Sequence, residues 1–510
     1  MNCYIEFNRR KMNTTRTLFV SSVVRTLFLV VNIIVAFFMM PFVVRQLGDH
    51  WYGIWVILGS FAGYYYLLDF GLASAVTRYV TTHIEKEEYE QANAIINTSL
   101  VIYSLIALLI LMITGGTVIF ASLFVTKPED LLLIRYVIAI MGINMAIEFP
   151  FKAFAGIIQA YLRYDLQTYA NFLSFSLSTL SILFFLSHGY GLLALALITF
   201  LTTQLSNILF FFISKYLFRE MRINFKFVRK SDAKKLFSYS VWALVIQIAN
   251  QMRFRVDSFV IAGILSATAV THYFIGAQLV EYFLNLVYKA TNIMTPVFAK
   301  YHARGDIAAI QEKMLFVTRI NTILSVFGGG LIIIVGKAFI ARWMGAGYAD
   351  AYPVLMILMI AMMLEIIVNP LDNLLYAISR HRFLAILNTV EGSVNLFLSL
   401  ILVRYYGIYG VALGTAVPMV LARVFIPVYA CRQIGLPIEK YLSNIGQTVF
   451  CSICYLVITY WASRSWLSSE NYINIIIVCA VAGTVYTVFI PFISFSREER
   501  NLLLSMVIKR

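Results

Sequence analysis

The sequence predicts an all-α polytopic membrane protein with about 14 transmembrane helices, built as two pseudo-symmetric six-helix lobes followed by two C-terminal helices. Three observations predict it. Of 510 residues, 61% are hydrophobic and only 13% charged, with a mean hydropathy of +0.81, whereas soluble domains carry roughly 25% charge. The shortage of charge extends along nearly the whole chain, which excludes a soluble domain on a single anchor. The second half also repeats features of the first at a fixed spacing.

A helix needs roughly 20 apolar residues to cross the hydrocarbon, and runs of that length centre near Val35, Phe61, Leu108, Met141, Ser178 and Phe200. Six more centre near Ile248, Leu284, Gly330, Met362, Phe397 and Val417, and the last two near Leu456 and Ala480. The expected organisation is a cytoplasmic tail over 1–21, an N lobe over 22–217 and a basic linker over 218–235. A C lobe then covers 236–431, the two further helices 432–496 and a cytoplasmic tail 497–510. The first run, from about Val23 to Val44, is too long for a signal peptide and lacks a small-residue cleavage site, so it is expected to stay as a membrane helix.

The net charge of +15 is read as an orientation signal rather than as nucleic-acid binding. With both termini cytoplasmic, about 26 Lys and Arg fall in cytoplasmic tails and loops and only about seven in external loops. Lys215, Arg219, Arg222, Lys226, Arg229, Lys230, Lys234 and Lys235 crowd the junction of the lobes, which places that loop in the cytoplasm. Contact with anionic lipid is a second use for the same charges.

A shift of 217 residues carries Glu148, Ala160, Arg163 and Asn171 onto Glu365, Ala377, Arg380 and Asn388. After a one-residue gap, Gly189, Ala194 and Leu195 fall on Gly407, Ala412 and Leu413. Spans four to six thus recur as spans ten to twelve with the same sidedness, a parallel repeat whose ligand is expected between lobes. Gly59 to Gly63 and Gly410 to Gly414 are small-xxx-small patterns suited to close helix packing, and Pro41, Pro150, Pro296, Pro370 and Pro418 fall in or near spans.

The most informative residues are charges inside spans: Arg25, Asp69, Glu148, Lys152, Arg253, Arg255, Asp257, Glu281, Lys289, Glu365 and Asp372. A charge facing lipid costs about 2.5–3.5 kcal/mol on an insertion scale, so most must face protein or water. Gln278, Glu281, Asn285, Tyr288, Lys289 and Asn292 share one face of span eight, and Glu365, Asn369, Asp372 and Tyr376 share one of span ten. Asn250, Arg253 and Asp257 line up in span seven, Glu148 and Lys152 in span four. Taken pair by pair, these charges neutralise one another as interhelical glue; taken together, they line a hydrated cavity on a translocation route. Arg25, Arg253, Arg255 and Lys289 then become the expected partners of an anionic headgroup.

Other chemistries find little support. Gly330 to Lys337 lacks Walker A spacing and ends in Ala338 rather than Ser or Thr. Cys451 and Cys454 have redox-motif spacing but lie in an apolar run, and the five cysteines imply no disulfide framework. No obvious metal-assisted catalytic cluster accompanies the short external loops, so an enzyme is not expected.

Pro41 to Gly48, Tyr52-Gly53-Ile54-Trp55 and Leu68-Asp69-Phe70-Gly71 through Val80 resemble the first two spans of the bacterial polysaccharide transporter family. These are the Wzx-type flippases of the multidrug, oligosaccharidyl-lipid and polysaccharide exporter superfamily, and Gly407 to Thr415 is similar to the family's twelfth span. The resemblance implies alternating access of two lobes and export of an undecaprenyl-diphosphate-linked oligosaccharide repeat unit across the bacterial inner membrane, for O-antigen, capsule or exopolysaccharide. Polysaccharide polymerase or chain-length machinery is an implied partner alongside membrane lipids. No cofactor is expected. A coupling H+ or Na+, if one is used, would engage Asp69, Glu148, Asp257, Glu281, Glu365 or Asp372. Two rivals stand beside this: a cation-coupled multidrug exporter of the same superfamily, and a membrane glycosyltransferase or polymerase.

Overall fold

The computed structural model describes residues 14–123, 128–236, 256–291, 294–467, 471–495 and 499–500, which are helical with short turns and contain no strand. Helices are what an apolar solvent imposes, because each backbone N–H and C=O must find its partner within its own segment. The chain divides into two units, Met1–Gln251 and Met252–Arg510.

The first unit contains α1 (Thr14–Leu47), α2 (Asp49–Tyr65), α3 (Leu72–Glu85), α4 (Tyr89–Ile119), α5 (Leu131–Ala160), α6 (Tyr164–Ser187) and α7 (Leu192–Leu217). The second contains α8 (Val256–Ile264), α9 (Ala267–Thr291), α10 (Met294–Ala303), α11 (Ile307–Trp343), α12 (Ala351–Ala377), α13 (His381–Gln433), α14 (Ile438–Leu467) and α15 (Tyr472–Ser494). Each unit has its own core. Val76, Ile96, Tyr103, Phe149 and Phe154 fill the first; Phe298, Met314, Leu371, Leu375 and Ile426 fill the second. Val335 and Ala338 of α11 meet Ile475 and Val478 of α15, which seats the last helix on the second unit. Outward-facing Leu108, Met112, Leu180, Phe212 and Phe397 are exposed, as an acyl-chain solvent requires.

Ten described helices are long and apolar enough to cross a membrane, or eleven if the pair from Asp49–Asp69 to Leu72–Glu85, bent by 42°, counts as one span. One of the ten is α13, a merged pair of helices broken at Gly407, so it holds the expected spans eleven and twelve. Span eight is the helix α9, whose polar stripe keeps it below the apolarity of a plain span, and most of span seven lies outside the described residues. The multi-span helical fold is therefore as expected, while the count of fourteen stays an expectation.

The repeat is written into the backbone. Leu162 and Ser379, 217 residues apart, are two of the four described non-glycine residues with positive φ, at 56° and 59°. Each stands in the turn just before Arg163 or Arg380, where a span ends and the next begins. Gly189 and Gly407 are left-handed at the next turn in each unit. His50 bonds Asp130 at 2.7 Å in the first unit, and His272 bonds Asp350 at 2.8 Å in the second, each pair joining a second-span helix to the start of the fourth.

Glycines serve different ends. A Cβ on Gly410 would strike the Leu402 carbonyl and one on Gly414 would strike Ser399, so these two let the halves of α13 close on each other. Gly59, by contrast, has open space around it, and its small-residue pattern makes no such contact there. Pro41, Pro150, Pro370 and Pro418 lie inside continuous helices, while Pro296 occupies the first turn of α10, where its missing N–H leaves no helix bond unmade.

Gly407 combines φ 56° with ψ −135°, a region that side chains avoid. Gly407→Val should lower stability by about 1–3 kcal/mol, read as a drop in thermal midpoint in detergent. Gly115→Ala, with nothing within 4 Å of the new Cβ, should leave the midpoint unchanged or slightly raised.

Candidate functional site

In the first unit the Leu68–Gly71 motif is where the second span breaks. A 3₁₀ turn over Tyr66–Asp69 is followed by Phe70 at φ 51° and Gly71 at φ 76°, two consecutive left-handed residues that stop one helix and open α3. The break delivers Asp69 into the bundle interior, 7% exposed. Tyr103 of α4 donates to Asp69 Oδ1 at 3.0 Å, and Lys152 Nζ of α5 stands 3.7 Å from the same oxygen. Tyr66 donates to Glu148 Oε1 at 3.0 Å, one helical turn before Lys152. The ammonium also lies 4.0 Å from the Phe149 ring centre and 4.6 Å from that of Tyr66. A cation set against the Asp69 carboxylate and over two aromatic faces, with Glu148 one turn away, is held by charge and quadrupole together.

Sequence reasoning put Glu148 and Lys152 on one face. It missed that Asp69, from the broken span, is the carboxylate bonded to Lys152. It also missed Tyr66, Tyr103 and Phe149 as the aromatic walls.

The second unit builds a comparable centre from other helices. Glu365 of α12 is bonded to Arg423 Nε, and Arg423 Nη2 reaches Glu391 Oε2 at 3.4 Å, with all three side chains buried. Tyr288 of α9 donates to Glu365 Oε1 at 3.1 Å. Glu148 and Glu365 are repeat counterparts, so each unit sets the equivalent glutamate against a tyrosine of its second span. Arg423 and Glu391 escaped the sequence reading although both are charges in apolar runs. Ser174, the counterpart of Glu391, bonds Ser206 at 2.8 Å, while the counterpart of Arg423 is Leu205, so the first unit has no charge at either place.

A second cluster surrounds Asp257, 6% exposed on α8. Thr415 donates to its Oδ2 at 2.9 Å and Tyr273 to the same oxygen at 2.5 Å; Asn395 Oδ1 accepts from Thr415 at 3.3 Å and from Ser399 at 2.9 Å. Every ligand atom here is oxygen, the donor type a hard cation takes. The hydroxyl protons now point at the carboxylate and amide oxygens, so a cation would have to turn them away. Among the described residues no group of three His, Cys, Asp or Glu could hold a metal.

The remaining expected residues are dispersed. Asn369 accepts from Asn373 at 3.1 Å, while Asn373 itself accepts from Thr295 at 2.9 Å; Asp372 is half-buried beside them. Glu281 and Asn285 are exposed on α9. Arg25 is exposed too, and its guanidinium lies 5.3 Å from the ring centre of Tyr164, the first residue of α6. That places Arg25 at the end of a span rather than at mid-membrane. Asn250, Arg253 and Arg255 fall outside the described residues, as does the side chain of Lys289. Among the described buried charges, Asp69, Asp257, Glu365 and Glu391 outnumber Arg423, and three of the four expected cations are not among the described side chains.

A sequence profile for polysaccharide biosynthesis proteins matches residues 20–302, more than half the chain. The chain belongs to the polysaccharide biosynthesis protein family. A Shigella flexneri protein with the provisional name of O-antigen transporter is 22% identical over 392 residues, 74% of this chain and 90% of its own length. An inward-facing multidrug resistance transporter of the MATE family, in the MOP superfamily, superposes with a TM-score of 0.69 at 14% identity, covering 80% of this chain and 96% of that one. The lipid II flippase MurJ in an inward closed conformation gives 0.63 at 15% identity, covering 93% and 98%. Family and fold thus agree with the resemblance read from the second-span motif.

Removing one partner of a buried ion pair leaves the other charge uncompensated, at a cost of about 3–5 kcal/mol. Arg423→Met should therefore destabilise strongly, whereas the triple change Arg423→Met, Glu365→Gln and Glu391→Leu should recover most of the loss. Thermal unfolding in detergent checks both, and a triple variant no better than the single one would contradict the pairing.

Proposed function

We propose that this polysaccharide biosynthesis family member is a flippase rather than an enzyme. It moves an undecaprenyl-diphosphate-linked oligosaccharide repeat unit from the inner to the outer leaflet of the bacterial cytoplasmic membrane, supplying O-antigen, capsule or exopolysaccharide. The observation that carries this is the family match over residues 20–302, supported by the relative named for O-antigen transport and by a fold shared with a lipid II flippase.

Arg253, Arg255 and Lys289 would receive the diphosphate in the spans, with Arg25 and its neighbouring turn meeting it at the bundle end. The prenyl tail would stay in lipid while the lobes alternate access. In an inside-negative membrane, moving two negative charges outward gains about 4.6 kcal/mol per 100 mV, so the potential alone favours export. A coupling H+ or Na+, where used, has two kinds of place to act. One is the oxygen cluster at Asp257; the other is the Asp69–Lys152–Glu148 centre, where protonating a carboxylate would release the lysine.

Asp69 and Glu148 beside the Tyr66 and Phe149 rings favour a second reading, an exporter of organic cations coupled to H+ or Na+, since carboxylates near aromatic faces are what such guests prefer. One reconstitution separates the two. Vesicles bearing the protein and a fluorescent prenyl-diphosphate sugar should show leaflet transfer without bond cleavage, accelerated by an inside-negative potential.

Arg253→Ala with Lys289→Ala should slow that transfer at least about tenfold, equivalent to roughly 1.4 kcal/mol, while insertion and thermal stability hold. Wild-type transfer in the double variant rejects the cationic contact. Export of an organic cation with no lipid transfer under any gradient would replace the flippase reading with the second.

A further inference from the structure

The basic segment between the units does not hang as a loose linker. Asn93 and Asn97, one turn apart on α4 and both buried, grip its backbone as a pair of clamps. Asn93 donates to Glu220 O at 3.0 Å and accepts from Arg222 N at 2.7 Å; Asn97 donates to Arg222 O at 2.7 Å and accepts from Asn224 N at 2.9 Å. The register has a physical basis, since two residues of extended chain advance about 6.6 Å and one helical turn about 5.4 Å. Thr98 accepts from Arg229 N at 3.1 Å, Lys215 donates to Met221 O at 2.6 Å, and Phe218, Met221 and Leu236 are buried in the first unit's core.

With that side of the segment turned inward, the other side carries the charge. Arg222, Lys226, Arg229, Lys230 and Lys234 are exposed, and among them Phe225 is 86% and Ile223 58% exposed. Over residues 215–235 eight basic side chains face only two acidic ones, Glu220 and Asp232. The strip lies where the candidate spans α7 and α4 end and begin, the level at which a membrane helix meets headgroups. A fixed basic surface with a protruding aromatic ring at that level matches how peripheral segments bind lipid, by charge to headgroups and by a shallow apolar insertion.

We infer that residues 219–230 form a docking strip for anionic phospholipid, moored to the N lobe by Asn93 and Asn97, with Phe225 and Ile223 set into the leaflet beneath Arg222, Lys226 and Lys230. This surface does not depend on what the protein transports.

The test places the photo-crosslinking residue benzoylphenylalanine at position 225 of the full chain, in vesicles of phosphatidylcholine with or without phosphatidylglycerol. Illumination should give a lipid adduct that favours phosphatidylglycerol several-fold and weakens in high salt. Changing Arg222, Lys226 and Lys230 to Gln should lower the phosphatidylglycerol adduct by about fivefold or more, with thermal stability unchanged. Asn97→Ala, which frees the backbone without touching a charge, should also lower it. No adduct, or equal adducts from both lipids in wild type and charge variant, overturns the inference. Suppression of adduct formation by an equimolar amount of undecaprenyl diphosphate added before illumination overturns it as well, since the strip would then be part of the substrate's path.

Discussion

The structure depends on one constraint: a carboxylate or cation carried into an apolar solvent must bring its partners with it. Both units meet this in a similar way, with a basic side chain set against an acid from another helix and a tyrosine donating to the repeat-related glutamate. The bundle geometry is then partly dictated by charge. Asp69 reaches Lys152 only because the second span breaks at Phe70 and Gly71. The strained left-handed phenylalanine is held there by what the break allows to form.

Much of the fold was legible because hydropathy and repetition are local in sequence. Spans follow from composition, and the shift of 217 residues found from Glu148, Arg163 and Gly189 reappears in backbone torsions at Leu162 and Ser379. The interior was less legible. Periodicity identifies which residues share a face of one helix, and it paired Glu148 with Lys152; it is silent on which helix that face meets. Asp69, Tyr103 and Tyr66 approach Lys152 from other helices. Arg423 and Glu391 show the same limit, since they lie in successive spans and their pairing with Glu365 appears only once the helices are packed. Arg25 shows the converse, a charge read at depth that stacks on Tyr164 at a helix start.

Duplication has given the two units a common frame with different chemistry on it. Ser174, bonded to Ser206, stands where the second unit has Glu391, bonded to Arg423, and Leu205 stands where it has Arg423. A neutral hydroxyl pair contributes a modest bond that can exchange with water, whereas a buried ion pair is costly to separate and fixes the helices it joins.

The difference bears on which centre can change state during a transport cycle. Arg423, Glu365 and Glu391 have side-chain exposures of 3%, 7% and 2%, and the arginine lies against both acids; separating them would strand charge with no water at hand. Lys152 is looser: 17% exposed, 3.7 Å from Asp69, and resting on two rings that can hold a cation without a fixed bond length. A lysine held this way keeps its aromatic contacts when Asp69 is neutralised, so loosening this pair costs less than opening the arginine triad. The N-lobe centre is therefore the looser of the two and the C-lobe triad the tighter, and the second span is bent by 42° at the break that brings Asp69 to Lys152.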